Sequence, residues 1–141
     1  MIVNLHGSVR NDGQIIFDSV SLYFDVNQSV NVNEVFITFS KKMKSPYGYI
    51  STSLIDKSPV NQKQLIVFLQ ESTNVKQTYI SPTHTAKYKI QCQSLQSAKF
   101  NLHLFEEGEK VNLQQKGFTI EVYLQLEITS DARVLHQLKT S

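Results

Sequence analysis

The amino-acid sequence predicts one all-β domain, an antiparallel two-sheet sandwich. The chain has 141 residues, a length that suits one domain. Its apolar residues recur mainly at every second position, which is the period of a strand with one buried side and one solvent-facing side. Clusters of Asn, Asp, Gly, Ser and Pro interrupt these runs at short intervals. Many short strands with regular turns are typical of sandwiches and barrels.

The alternating runs and the turns between them divide the chain into eight or nine strand candidates. The hairpin-type turn Asn11-Asp12-Gly13 separates the first two candidates, and the stretch 106–110 joins the last two. The segment 62–70 also fits a helical spacing, and we interpret it as a strand because Ile66-Val67-Phe68 favours a pleated surface. We predict strands over residues 2–6, 14–26, 30–40, 48–55, 64–70, 77–80, 86–93, 99–105 and 117–129.

The inward positions of the clearest runs define a predicted core. The last run, residues 118–128, alternates throughout and is longer than a typical strand. We assign residues 1–130 to the sandwich domain and residues 131–141 to a C-terminal tail that forms a helical turn or a frayed end. The predicted core includes Val20, Leu22, Phe24, Ile37, Leu102, Leu104, Ile120, Val122, Leu124 and Leu126.

The charge of the chain argues against a strongly charged partner. Its 14 basic and 12 acidic residues give a net charge of +2, so we expect contact with nucleic acid to be weak at most. No apolar run approaches the roughly 20 residues that span a bilayer. The first residues also lack the features of a signal peptide. From these observations we expect no membrane partner and a soluble intracellular protein.

The residue types that carry chemistry do not occur in catalytic or metal-binding patterns. The histidines His6, His84, His103 and His136 contain no His-x-His pair, and we expect no metal site. The chain has neither a Gly-x-Ser-x-Gly motif nor a glycine-rich phosphate loop. We interpret its single cysteine, Cys92, as a small core residue rather than a reactive thiol. We therefore expect no enzymatic activity, no catalytic residues and no cofactor.

Two segments resemble a family of viral capsid proteins. In the stretch 49–65, the motif Leu54-Ile55-Asp56 is followed by Asn61 and Gln64. This stretch resembles a mid-chain segment of the single jelly-roll capsid proteins of Maverick/Polinton-type elements and adintovirus-like viruses. The alternating pattern Ile-x-Val-x-Leu-x-Leu-x-Ile of residues 120–128 resembles the final long strand of the same proteins. The resemblance implies a single jelly roll and a minor capsid protein, or penton, located in the virion.

The first functional hypothesis is a structural subunit that self-assembles into a vertex oligomer. It implies a homo-oligomer, with a pentamer favoured, and other capsid subunits as further partners. The outward face of the last strand, with Tyr123 between Glu121 and Gln125, is the candidate interface. The alternative hypothesis is a carbohydrate- or protein-binding sandwich of the lectin or fibre-head type. Surface tyrosines such as Tyr23 and Tyr47 would stack on sugars, although the chain has no Trp.

Overall fold

A computed structural model describes residues 1–25, 27–41, 43, 46–55, 64–69, 77–82 and 87–130, the two ranges 64–69 and 77–82 as backbone. Within these residues the chain forms strands and turns and contains no helix, and hence no helix that is able to span a membrane. The strands are β1 (Ile2–Val9), β2 (Ile15–Phe17), β3 (Gln28–Phe39), β4 (Pro46–Thr52), β5 (Gln64–Leu69), β6 (Gln77–Pro82), β7 (Tyr88–Lys89), β8 (Phe100–Glu106), β9 (Glu109–Lys110) and β10 (Ile120–Ser130).

Every strand pairing is antiparallel, and the strands fold into two packed layers. The hydrogen-bonded order is β2-β1-β10-β3-β6-β5-β4-β8-β9, with β7 also paired to β3. The layer that contains β1, β10 and β3 packs against the layer that contains β4 and β8 around one apolar core. Gln14 bridges to Asn101, and the Leu102 N–H donates to the Gly13 carbonyl at 2.8 Å, so the start of β2 lies beside β8. The predicted all-β antiparallel sandwich is confirmed.

The core forms where inward side chains of the two layers meet. Strand β10 alternates buried and outward positions over almost its whole length, as its period-two sequence predicts. Leu5 and Val35 lie directly across from Leu124 on the two neighbouring strands, and all three are at most 1% exposed. The predicted core residues that are buried are Ile37, Leu102, Leu104, Ile120, Val122, Leu124 and Leu126.

The predicted strand over 14–26 is wrong, because β2 ends at Phe17. The segment that follows hydrogen-bonds to an irregular stretch instead of a strand. The Leu95 N–H donates to the Leu22 carbonyl at 2.8 Å, and the Phe24 N–H donates to the Gln93 carbonyl at 2.9 Å. The apolar side chains of the segment are half-buried against the core. Their alternation therefore reflects an extended backbone that lacks a continuous series of hydrogen bonds to a neighbouring strand. The partly buried predicted core residues are Val20, Leu22 and Phe24.

The predicted strand over 86–93 is also shorter in the structure. Strand β7 covers Tyr88–Lys89, and Ile90 makes an isolated bridge to Ile55. The stretch 106–110 joins β8 to the short strand β9 and not to the last long strand. In that turn Glu107 and Gly108 have φ angles of 52° and 84°. Positive φ at both central residues is the geometry of a tight hairpin with the right-handed strand twist. The predicted tail, residues 131–141, lies outside the described residues.

Candidate functional site

The predicted interface residues lie on the outer side of the layer that contains β10. This strand runs between β1 and β3, so both of its edges are already hydrogen-bonded. The side chains of Glu121, Tyr123 and Gln125 point away from the core, alternating with buried neighbours. We define the acidic face by outward residues of the three strands around Tyr123: Asn4, His6, Ser8, Glu34, Phe36, Thr38, Glu121, Tyr123, Gln125 and Glu127; Ile2 and Asn31, opposite Glu127, continue the same side of the layer.

Three rings form a row across the centre of the acidic face. Tyr123 is directly opposite His6 on β1 and Phe36 on β3. Its ring centroid lies 4.8 Å from that of His6 and 5.8 Å from that of Phe36. The Tyr123 hydroxyl donates to Asn4 Oδ1 at 2.9 Å, and Gln125 Nε2 donates to the same oxygen at 3.2 Å. The half-buried tyrosine is therefore held in one orientation by its neighbours.

The charge of this face comes from its carboxylates. Glu34, Glu121 and Glu127 occupy outward positions, and the strand positions that define the face contain no Lys or Arg. The Ser8 hydroxyl lies 3.1 and 2.9 Å from the two carboxylate oxygens of Glu121. In the part of the chain that the structure describes, none of the three carboxylates makes a salt bridge. No basic side chain among the described residues therefore neutralises these three carboxylates.

A second group of rings covers the outer side of the other layer. Tyr47 stacks on Phe105, with centroids 5.0 Å apart and planes 10° apart. Tyr49 stacks on His103, with centroids 4.5 Å apart and planes 17° apart. Both pairs consist of residues directly opposite each other on β4 and β8. We define the aromatic face by the outward residues of β4, β8 and β9: Tyr47, Tyr49, Ser51, Asn101, His103, Phe105 and Lys110.

Gly48 allows the close approach that brings these rings together. It lies between the two tyrosines on the inward side of β4. A Cβ atom at this position would be 2.5 Å from the carbonyl oxygen of His103, closer than such atoms approach in proteins. A side chain here would force β4 away from β8 and pull the opposite ring pairs apart.

The electrostatics of the aromatic face differ from those of the acidic face. Burial lowers the pKa of His103 below its usual value of 6.5, and the positive charge of Lys110 lowers it further. The neutral imidazole is hydrogen-bonded through Nε2 to the Ser51 hydroxyl at 2.9 Å. Lys110 is exposed, and the outward positions that define this face contain no carboxylate. Lys110 therefore places a positive charge beside the rings, and Glu106, Glu107 and Glu109 of the same β8–β9 hairpin place carboxylates close to it.

A polar cleft borders the aromatic face. It has a volume of about 430 Å³, and His103, Ser51 and Lys110 form one side of it. Asp12 and Asn112 line the cleft, and each accepts a hydrogen bond at 3.0 Å from the backbone N–H two residues later. These bonds fix the loops that carry the polar groups. The cleft combines a carboxylate, amides and a hydroxyl next to stacked rings, a set of groups that suits a small polar ligand.

The residues that carry the family resemblance lie mostly inside the molecule or outside the described residues. Leu54 and Ile55 are both 0% exposed and belong to the core. The backbone of Gln64 pairs with Ser51 on β4. Asp56 and Asn61 lie outside the residues that the structure describes.

The potentially reactive side chains that the structure describes are dispersed. His6 belongs to the acidic face and His103 to the aromatic face, whereas His84 and His136 lie outside the described residues. Cys92 is half-buried, and its thiol donates to the Ser53 carbonyl at 3.0 Å. Among the described residues no group of three His, Cys, Asp or Glu side chains is placed to hold a metal ion.

Sequence reasoning did not find the aromatic face as a unit. His103 falls at an outward position of a predicted strand, whereas Tyr47 lies just before the predicted strand 48–55, and the two lie 56 positions apart in the chain. Only the register of β4 on β8 places Tyr47 beside Phe105 and Tyr49 beside His103. The sequence indicates this face only through the aromatic residues and histidine that recur at every second position, at Tyr47 and Tyr49 and at His103 and Phe105.

Comparisons of this chain with protein-family models, with curated proteins and with solved structures find no match.

Proposed function

We propose that this chain is a structural capsid subunit, of the minor capsid or penton type, that self-assembles into a vertex oligomer. The observation that carries the proposal is the strand order. Strands β4, β5 and β6 are successive neighbours, and β3 lies beside β6, which is a Greek-key order. Strand β10 lies beside β1, β1 beside β2, and the start of β2 beside β8, so the first and last strands of the chain are also neighbours. A Greek key wrapped over two sheets, with the first strand beside the last, favours a jelly roll.

The paired edges of β10 favour association through its side chains. A partner strand is unable to add to β10, because β1 and β3 occupy both of its edges. Contact through the acidic face would use the row of His6, Tyr123 and Phe36, whose central ring is already fixed by hydrogen bonds. Aromatic side chains are enriched at interfaces, and fixed rings lose little entropy when a partner binds.

Sedimentation velocity on the purified chain and on Tyr123→Lys tests the proposal. We expect the unmodified chain to sediment as a closed oligomer whose population grows with concentration. Tyr123→Lys places a long charged side chain in the ring row and shifts this chain toward monomer, while its circular dichroism spectrum stays that of the folded protein. An unmodified chain that remains monomeric at high micromolar concentration, at every salt concentration and pH tested, contradicts the proposal.

The polar cleft supports a second candidate function, binding of a carbohydrate by a monomeric sandwich. Tyr47 is 44% exposed and stacks on Phe105, whose strand partner Lys110 lines the cleft together with Asp12, Asn101 and Asn112. A sugar presents hydroxyl groups for the polar side chains and an apolar C–H face for a ring. Titration of labelled protein with simple hexoses and N-acetylhexosamines, followed by NMR, tests this function. Saturable shifts at Asn101 and Asn112 in a monomeric protein support it, and the absence of shifts at millimolar sugar contradicts it.

A further inference from the structure

We propose that a cleft at the free edge of β2 binds a small amphipathic molecule that has an apolar body and a cationic head group. The cleft lies between the segment 14–20 and the segment 95–100, and its volume is about 360 Å³. Pockets for small ligands have volumes of roughly 300–1,000 Å³. We call it the edge cleft. None of the residues that define the acidic face or the aromatic face lines it, so the inference goes beyond the proposed assembly function and does not depend on it.

The edge cleft exists because the two layers part after their first contact. Gln14 bridges to Asn101, but in the described part of the chain no strand pairing continues from this bridge along β2. The same register would place Ala98 opposite Phe17. The Ala98 N–H instead donates to the Leu95 carbonyl at 3.1 Å, within its own segment. The chain before β8 is therefore bonded away from β2, and the space between the two remains open.

The backbone of Phe17 directs two polar groups into this space. The Asp18 N–H donates to the His6 carbonyl at 2.7 Å, and the Arg10 N–H donates to the Gln14 carbonyl at 2.8 Å. In an antiparallel pair every second residue bonds to a given neighbour, so the N–H and C=O of Phe17 point away from β1. Neither group has a backbone hydrogen-bond partner among the described residues. A polar group of a ligand in the edge cleft is therefore able to bond to them.

Core side chains form the floor of the edge cleft. Leu5, Ile15 and Phe100 line it, and each of them is at most 3% exposed, so the cleft reaches the apolar interior. The Phe17 ring meets the Phe100 ring edge to face, with centroids 5.1 Å apart and planes 89° apart. A ring or a short alkyl chain of a ligand would lose its contact with water on this floor, which favours binding.

The rim of the edge cleft is polar and carries one charge. Of the described residues that line it, Asp18 alone is charged. The Asp18 carboxylate has no hydrogen-bond or ion-pair partner in the part of the chain that the structure describes. Gln96 is held in place on the other segment, since its Nε2 donates to the Ser21 hydroxyl at 3.0 Å and its Oε1 accepts the Leu22 N–H at 3.4 Å. An unpaired carboxylate beside an apolar floor favours a cationic ligand over an anionic ligand of the same shape.

NMR titration of isotope-labelled protein with three ligands of similar size tests the inference. Benzylamine, benzyl alcohol and benzoate share a phenyl ring, and their head groups are positive, neutral and negative at pH 7. We expect benzylamine to shift the backbone amides of Phe17 and Ala98 in a saturable way at millimolar concentration, since a ligand with few atoms binds weakly. Benzyl alcohol should bind less tightly, and benzoate least. If all three ligands leave both amides unshifted at tens of millimolar, the inference is overturned.

Two variants separate the apolar floor from the charged rim. Ala98→Leu adds a larger side chain to the lining, so we expect it to abolish the saturable shift at Phe17. Asp18→Asn keeps the size of the side chain and removes its charge. It should weaken benzylamine binding about two- to fivefold, as expected for an exposed ion pair, and leave benzyl alcohol binding unchanged. Asp25→Asn is the matched control, because Asp25 is exposed and does not line the cleft.

Each outcome decides one part of the inference. Circular dichroism and thermal melting establish that the variants are folded. An unchanged affinity for benzylamine in folded Ala98→Leu overturns the site. Equal affinities of Asp18→Asn and Asp25→Asn for benzylamine overturn the cationic head group. If Ala98→Leu does not fold, the shifts in the unmodified chain decide, and benzylamine shifts that are largest at the acidic face overturn the site. The oligomeric state enters none of these measurements, so failure of the proposed assembly function leaves them interpretable.

Discussion

Replacing Leu124 with alanine removes a side chain from the centre of the sandwich. Leu124 is 0% exposed, and Leu5 and Val35 lie directly across from it on the neighbouring strands. Core Leu→Ala substitutions cost about 2–5 kcal/mol, more where the surroundings are unable to close the cavity. Because both neighbours belong to hydrogen-bonded strands that flank β10, we expect a loss near the middle of this range, about 3–4 kcal/mol.

Urea denaturation followed by circular dichroism measures this loss. For a slope of about 2 kcal/mol per molar urea, the midpoint should fall by roughly 1.5–2 M. Leu22→Ala is the matched control, because Leu22 is half-buried in the irregular segment after β2. Its truncation should cost clearly less, about 1–2 kcal/mol, since part of the side chain already faces solvent. Measurement at two protein concentrations separates the free energy of unfolding from that of assembly. Equal losses in the two variants, or a loss below about 1 kcal/mol for Leu124→Ala, refute the reasoning.

Three further perturbations have defined outcomes. Gly48→Ala should lower the urea midpoint and the stability by about 1–3 kcal/mol, because its Cβ would lie 2.5 Å from the His103 carbonyl oxygen. Gly108→Ala serves as its control, because a Cβ atom at Gly108 would have no neighbour within 4 Å. This substitution should cost only the strain of a positive φ angle, roughly 1–2 kcal/mol. Since the pKa of His103 is lowered by folding, the unfolded chain binds more protons, and stability should fall as the pH drops below 6.5 toward the folded pKa. His103→Gln should weaken that pH dependence in urea titrations between about pH 7.5 and pH 5, and an unchanged dependence contradicts the assignment. Tyr123→Lys should weaken assembly by at least about tenfold, as expected for a central aromatic contact, and an unchanged sedimentation profile places the interface elsewhere.

Strand β10 shows how much of the fold the sequence determines locally. Its apolar residues alternate from Ile120 to Ile128, and the structure buries each of them. The same alternation from Val20 to Phe24 does not produce a regular strand. The backbone of this segment hydrogen-bonds to Gln93 and Leu95, which belong to an irregular stretch and not to a strand. Period-two spacing thus predicts which side of an extended segment is buried, but the partner segment decides whether a regular strand forms.

The candidate site depends on information that local patterns do not contain. The outward positions of Tyr123, Glu121 and Gln125 follow from alternation alone, and the structure places them as predicted. The row that Tyr123 forms with His6 and Phe36 requires the register of three strands from distant parts of the chain. Long-range register is set by the whole core, so neither ring group is visible in a window of the sequence.

Leu54 and Ile55 illustrate a further limit of pattern reading. Two successive residues of a strand point to opposite faces, yet both of these side chains are fully buried. Strand β4 ends at Thr52, whose hydroxyl accepts a hydrogen bond from the Leu54 N–H at 3.1 Å. The turn changes the direction of the chain, and Ile55 then bridges to Ile90. The motif that carries the resemblance is, in these two residues, a packing motif.

Native mass spectrometry of the unmodified chain tests the proposed assembly most directly. One chain has a mass of 16.1 kDa, and the proposal predicts a closed species at a fixed multiple of it, with five copies favoured. That species should persist over a range of concentrations in which no larger ladder of open oligomers appears, because a closed ring leaves no interface unpaired. A spectrum that contains only the single chain at high micromolar concentration, or an open ladder without a preferred size, contradicts the proposal.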